Sequence, residues 1–228
     1  MATDHGKLFI VGTPIGNMED ITFRALRVLR EADLVAAEDT RHTGQLLAKH
    51  EIRKPLISYH EFNEAKRTEE LLARLHNGER IALVSDAGMP TLSDPGQRLI
   101  DAAITAGASV EVVPGISAVT MAVTASGLKA GRFLFYGFLP NKPTQRRKAL
   151  TPLAPLPYAL VFFESPYRIQ KSLADILAVL GNRRAVLARE MTKRFEEFMR
   201  GDLESLLKSL EKRSLKGEIT VVVEGAPE

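Results

Sequence analysis

Two adjacent carboxylates, a threonine, an arginine and a histidine stand together in Glu38-Asp39-Thr40-Arg41-His42. Carboxylates can take up protons and arginine can hold anions, so a charged cluster at a strand end is a candidate functional site. Helix capping by Asp39 or Thr40, with Arg41 in a surface ion pair, accounts for at most half of it. A second stretch, Ser85-Asp86-Ala87-Gly88-Met89 running on to Ser93-Asp94-Pro95-Gly96, holds two aspartates, two glycines and two prolines in twelve residues. An ordinary βα turn needs only about 2–6 residues. This loop is therefore read as a ligand loop, with Asp94 capping the next helix and Pro95 at its first position. In Gly12-Thr-Pro-Ile-Gly-Asn17 the glycines are four apart, which fits neither a dinucleotide fingerprint nor a P-loop. A proline-stiffened turn explains that segment as well as ligand contact does. Pro114-Gly115-Ile116-Ser117 offers a backbone that a ligand can approach closely. His60-Glu61-Phe62-Asn63 is explained equally by a partly buried histidine with a helix cap and by function. Lys142 and Arg146-Arg147-Lys148 form a basic helix start, ordinarily solvated but able to grip phosphates.

The positions of these segments follow from the elements that precede them. Ile81 to Val84 is a short apolar run, the signature of a strand buried on both faces. Similar runs occur at Lys7 to Val11, Asp33 to Ala37, Pro55 to Tyr59 and Ser109 to Val113, each followed by a polar loop and a helical pattern. Those helices are expected from Asp20 or Thr22 to about Glu31, from Thr43 to His50, from Glu64 to His76, up to Gly107, and through Thr124. This alternation predicts a parallel doubly wound α/β sheet. Ligands bind such sheets at the carboxyl ends of the strands, so the loops converge on one ligand. Leu128 to Arg132 reads as a linker. Beyond it the strands Phe133 to Phe138, Tyr158 to Phe163, Ala185 to Ala188, Phe195 to Met199 and Ile219 to Val223 come too close together for helical crossovers throughout, and Leu203 to Leu215 reads as a helix. The second domain is expected to be a mixed α/β sheet. The predicted organisation is residues 1–127, a linker at 128–132, and residues 133–228.

The 228-residue chain carries a formal net charge of +3, compatible with nucleic acid but no evidence for it. It has no cysteine, which excludes disulfides, thiolate metal sites and cysteine nucleophiles. Five scattered histidines argue against a metal site. There is no run of membrane-spanning length and no signal-peptide pattern, so a soluble cytoplasmic protein without membrane or metal partners is expected. With no tryptophan and 6% aromatic residues, a broad aromatic platform for bases is disfavoured.

The loops in this order resemble the tetrapyrrole methylase superfamily, the class III S-adenosylmethionine-dependent methyltransferases. The resemblance is carried by Val11 to Asn17, Ala36 to Thr43, Ala82 to Gly88 with Ser93 to Gly96, Pro114-Gly115, Gly137 to Pro140, Phe163 to Ser165 with Arg168, Leu187 to Glu190 with Thr192-Lys193, and Lys216 to Glu218. It is closest to the branch that methylates the ribose of 16S ribosomal RNA. The resemblance implies two α/β domains with a cofactor cleft between them, a homodimer, and S-adenosylmethionine as cofactor. The substrate implied is the 2′-hydroxyl of a decoding-centre cytidine in 16S rRNA or the small ribosomal subunit. Cofactor contacts are implied at Pro14, Ser85, Asp86, Ala87, Gly88, Met89, Ser117, Ala118, Phe163, Glu164, Ala188, Arg189, Gly217, Glu218, Ile219 and Thr220. Substrate contacts are implied at Asn17, His42, His60, Asn63, Lys142, Arg146 and Arg147. Glu38 and Asp39 are then the first candidates for the general base, with Arg41 gripping phosphate or orienting the ribose; Glu164 and Glu190 come second. Many members continue into a small helical domain thought to help hold RNA, whereas this sequence stops at Glu228. Methylation of a tetrapyrrole or other small molecule, and RNA binding without catalysis, are the alternative functions.

Overall fold

Leu8, Phe9, Ile10 and Val11 are apolar in succession, so the strand they form must be covered on both faces. In the computed structural model, which describes residues 6–211 and 213–227, that is how β1 (Lys7–Val11) lies. It is the fourth strand of a five-stranded parallel sheet with β2 (Leu34–Ala37), β3 (Leu56–Ser58), β4 (Arg80–Val84) and β5 (Ser109–Val113), in the order β3-β2-β4-β1-β5. Helices α1 (Phe23–Glu31) and α2 (Thr40–Lys49) cover one face, where Val28, Leu29 and Leu47 pack on Phe9, Val11, Val35 and Val84. Helices α3 (Glu64–His76) and α4 (Gln97–Thr105) cover the other, where Leu71, Leu75 and Leu99 pack on Leu8, Leu34, Ile81 and Leu83. Neighbouring residues of one strand thus serve opposite cores, as the two-residue period of a strand requires.

The second unit has its own mixed sheet. Its strands are β6 (Phe133–Phe138), β7 (Ala159–Glu164), β8 (Arg184–Arg189), β9 (Glu197–Asp202) and β10 (Ile219–Val223), ordered β6-β7-β10-β8-β9. Only β6 and β7 run parallel; β10 is antiparallel to both β7 and β8, and β8 to β9. Helices α6 (Pro143–Leu150), α7 (Ile169–Leu180) and α8 (Leu203–Leu210) bury Leu150, Leu173, Ile176 and Leu206 against Leu160, Phe162, Leu187 and Val221.

The compact units divide between Ser117 and Ala118. The sequence reading instead ends the first domain at residue 127. The difference is α5 (Ala118–Ser126), which packs on β8, β9 and β10 of the second unit. Residues 1–5, 212 and 228, which the expected domains include, lie outside the described residues.

Helix ends also move. α2 begins at Thr40 because the Asp39 carboxylate accepts the Arg41 N–H, a turn earlier than expected. α4 starts after Gly96 at φ 133°, with no side-chain cap, so Asp94 and Pro95 belong to the loop. α8 is capped by Asp202 and Ser205 in a reciprocal box and ends at Leu210.

Candidate active site

The strands of the first sheet end level. Val11 pairs with Val84 and Val113, and Ala37 pairs with Val84. Loops beginning at Gly12, Glu38, Ser85 and Pro114 therefore leave adjacent strands at one edge. They are fastened to each other. Thr13 and Gly88 exchange backbone hydrogen bonds of 2.9 and 3.1 Å, and the buried Thr13 Oγ1 donates to the Ser85 carbonyl. The Asp39 N–H donates to Asp86 Oδ1 at 3.0 Å, and the Asp86 N–H reaches Glu38 Oε2 at 3.5 Å. Gly12 and Gly115 touch backbone to backbone: a Cβ on Gly12 would lie 2.6 Å from Gly115 Cα and 2.7 Å from Met89 Sδ. Pro14, Ser85 and Gly88 are buried in this knot, while Asp86, Ala87, Met89 and Ser117 keep part of their surface exposed.

The two neighbouring carboxylates differ in character. Burial raises the Glu38 carboxyl above its ordinary value, and the Asp86 charge beside it raises it further. Asp39 goes the other way: Arg41 donates to it from its side chain and its backbone N–H, holding it well below the usual carboxylate range. Asp39 is thereby a helix cap and the partner of Arg41, whose guanidinium lies 2.6 Å away and is otherwise exposed. Glu38 is the better proton acceptor of the two.

Glu38 also borders a cavity of about 590 Å³ with His60, Glu61, Phe62, Ser93 and Pro95. His60 Nδ1 is buried there without a hydrogen-bond partner, while Nε2 meets Asn63 Nδ2 at 3.0 Å. Asn63 accepts the His60 N–H and donates to the Ser58 carbonyl, so it shapes the turn. Asn17 accepts the Glu19 N–H at the start of a 3-10 turn, and His42 is exposed on the first turn of α2.

In the second unit the register places six expected residues side by side. Thr220 pairs with Phe163 and Ala188, and Ile219 with Glu164 and Arg189. Ala188, Ile219 and Thr220 are buried, and the Phe163 ring packs edge-on against Phe135 and Phe138. Beside them Gly217 (φ 87°) lies over Glu190, where a Cβ would fall 2.2 Å from the carboxyl carbon. The Glu190 carboxylate in turn accepts the Glu218 N–H and the Lys193 ammonium. Lys193 also binds the Glu218 carboxylate at 2.9 Å.

Two expectations for side chains of this unit are corrected. Glu164 turns its carboxylate inward, where it accepts from Ser172 Oγ and the Ser165 N–H and pairs with Arg168, so this side chain braces the sheet edge. Arg146 is 2% exposed and pairs with Asp175, with further donation to the Pro140 and Asn141 carbonyls. It anchors α6 to α7 and grips no phosphate. Arg147 shares Asp175 but stays largely exposed, as does Lys142. Arg189 is likewise engaged, by Glu197 and the Lys216 carbonyl.

The model of the family described as Tetrapyrrole (Corrin/Porphyrin) Methylases matches residues 7–207, most of both units. The chain belongs to the tetrapyrrole methylase family. Methyl transfer is the chemistry of this family. The ribosomal RNA small subunit methyltransferase I of Thermotoga maritima is 51% identical over 220 residues, 96% of this chain and 99% of that protein. Among solved tetrapyrrole methylases, uroporphyrin-III C-methyltransferase from Thermus thermophilus superposes with a TM-score of 0.67 at 25% identity, covering 95% of this chain and 94% of that one. Another structure of the Thermus thermophilus enzyme, complexed with S-adenyl homocysteine, gives a TM-score of 0.67 at 21% identity, with coverage of 95% and 97%.

Sequence reasoning passed over Thr13 and the Gly12–Gly115 contact. The signal for both was present in the small residues that follow β1 and β5, but the partner of each glycine is 103 positions away in the chain.

Proposed function

We propose that this tetrapyrrole methylase transfers a methyl group from S-adenosylmethionine to the ribose 2′-hydroxyl of a cytidine in the decoding centre of 16S ribosomal RNA, acting as a homodimer in the cytoplasm. The observation that carries the reading is the 51% identity, over nearly the whole of both chains, to a protein named for methylation of small-subunit ribosomal RNA. When bound, the donor supplies an electrophilic methyl group on a sulfonium. The tied loops at Gly12, Ser85 to Met89 and Ser117-Ala118 suit it, because small residues and fixed backbone groups admit a nucleoside and an amino acid without bulky side chains. Asp86 orients polar groups of the donor through the carboxylate that Asp39 N–H already fixes.

A ribose hydroxyl must lose its proton as it attacks. Glu38 takes that proton: burial, and then the Asp86 charge beside it, raise its pKa and make it the more basic of the two neighbouring carboxylates. Arg41, exposed and locked to Asp39, holds a phosphate of the incoming RNA. Positioning does the rest, since the reacting atoms must meet in line.

The test is incubation with labelled S-adenosylmethionine and small subunits from cells lacking the modification, followed by mapping of ribose methyls on 16S rRNA. A ribose 2′-O-methyl on a decoding-centre cytidine is expected. Label found only in small molecules would refute it in favour of the second reading, methylation of a tetrapyrrole, which the likeness to uroporphyrin-III C-methyltransferase favours. Calorimetry that detects no binding of S-adenosylmethionine would sink both.

A further inference from the structure

The strands of the second sheet have two ends, and the residues weighed so far for the donor occupy one of them. At the other end, where β10 finishes and β7 and β8 begin, lies a groove of about 710 Å³. It is separated from Ile219 by the length of β10, about 13 Å at ~3.3 Å per residue. Lys129, Arg132, Arg183 and Arg184 line it, and Glu224 is the carboxylate among its lining residues. Lys129 and Arg132 come from the segment that the sequence presents only as a linker, and both are exposed. Arg184 reaches Glu224 at 3.9 Å, a loose contact that leaves it more than half exposed.

Arg183 is held differently. It donates from Nε to the Leu180 carbonyl, from one terminal nitrogen to Ala154 at 2.6 Å and from the other to Glu224 O at 3.5 Å. Among the described residues no carboxylate lies within ion-pair distance of it. Its charge is fixed in place and faces the groove uncompensated, and burial lowers its pKa, the mark of a desolvated cation. The wall opposite is equally firm. The Glu224 and Ala226 N–H groups bond to the Arg184 and Leu156 carbonyls, and Gly225 lies so close to Pro157 that a Cβ would fall 2.4 Å from its carbonyl carbon. A rigid groove with four cations against one carboxylate among the described residues favours a ligand of repeated negative charge, with little aromatic surface to read bases.

We propose that this groove binds the phosphodiester backbone of RNA, at a docking site on the end of the second sheet opposite Ile219 and Thr220. It holds the substrate without reading its sequence and adds affinity to the methyl-transfer site. The inference rests on the ribosomal RNA reading of the active site.

The test is the affinity of the whole protein for a fluorescent 16S rRNA fragment across a sodium chloride series. Wild type is compared with Lys129→Glu/Arg184→Glu and with the milder Lys129→Gln/Arg132→Gln, which guards against misfolding of the first. Affinity is expected to fall about tenfold in the charge-reversed variant. The slope of log K against log salt should become shallower by about 1.4 in both, given about 0.7 per phosphate contact on a single strand. Calorimetric affinity for S-adenosylmethionine should stay at the wild-type value. Folded variants that bind the RNA with wild-type affinity and slope would overturn this proposal and leave the methyltransferase reading intact. A wild-type protein with no saturable RNA binding would overturn both. Saturable binding of inorganic phosphate that the variants lose, with RNA binding unchanged, would assign the groove to a small phosphate compound and likewise overturn the proposal.

Discussion

Replacing Glu38 by Gln keeps the shape of the side chain and removes its ability to take a proton. Positioned general bases contribute about 10²–10⁴ in rate. Glu38 is only partly buried, so water can replace part of its function, and the lower end of that range applies. We expect kcat for ribose methylation to fall about 100-fold, equivalent to about 2.7 kcal/mol of barrier at 1.36 kcal/mol per tenfold. Donor affinity should change little, because the Asp86 N–H still finds an oxygen at that position. The pH dependence is sharper still. Burial and then Asp86 raise the Glu38 pKa, so the wild-type rate should climb with pH through that raised value and level off above it. In Glu38→Gln this limb should vanish. Stability runs the opposite way. A carboxyl with a raised folded pKa contributes stability that is fully present below its unfolded pKa and lost as pH rises through the folded value. Glu38→Gln should therefore melt at the same or a higher temperature than wild type at pH 8, with the gap closing at pH 4. Single-turnover methylation of small subunits over pH 5 to 9, with melting curves at both ends, measures all three. A variant that retains the wild-type rate and its acidic limb would refute the reasoning.

Asp39→Ala removes the cap of α2 and frees Arg41. It should lower the melting temperature while keeping most of kcat, and equal loss in Asp39→Ala and Glu38→Gln by the same methylation assay would contradict their separate roles. Asp175→Ala leaves Arg146 buried without its partner, which costs about 3–5 kcal/mol, visible as a lower midpoint in urea. Burial alone would raise the Asp175 pKa, but Arg147 and Arg146 bring it below its ordinary value, so Asp175 should support stability until acid protonates it. Gly12→Ala sets a Cβ 2.6 Å from Gly115 Cα and must part the two loops. Displacements near 1 Å cost about 10²-fold in such sites, so methylation should drop on that scale while the core holds the fold to thermal melting.

The parallel sheet was legible because short, mostly apolar runs alternate with polar loops and helical patterns, and the two-residue period assigns the faces of each strand. The mixed sheet followed from short spacings, as between β8 and β9. What escaped depends on partners far apart in the chain. Arg146 and Arg147 read alike in sequence, yet Asp175 on α7 draws one under the surface and leaves the other out. Asp39 and Glu38 also read alike, and only the fold, by burying Glu38 beside Asp86 and pairing Asp39 with Arg41, shifts their proton affinities in opposite directions. α5 is made of small residues with little amphipathic pattern, so nothing local told which sheet it would join. The resemblance implied Glu164 as a donor contact, but Ser172, eight residues on, holds its carboxylate inward.

The contact between Gly12 and Gly115 bears on redesign for bulkier donor analogues. Neither glycine can be traded for the other's benefit, since each already rests on the other's backbone, and no pair of larger residues relieves the clash. Extra room at this edge has to come from Met89. Its thioether stands against Gly12, is flexible, and can be shortened without moving a strand.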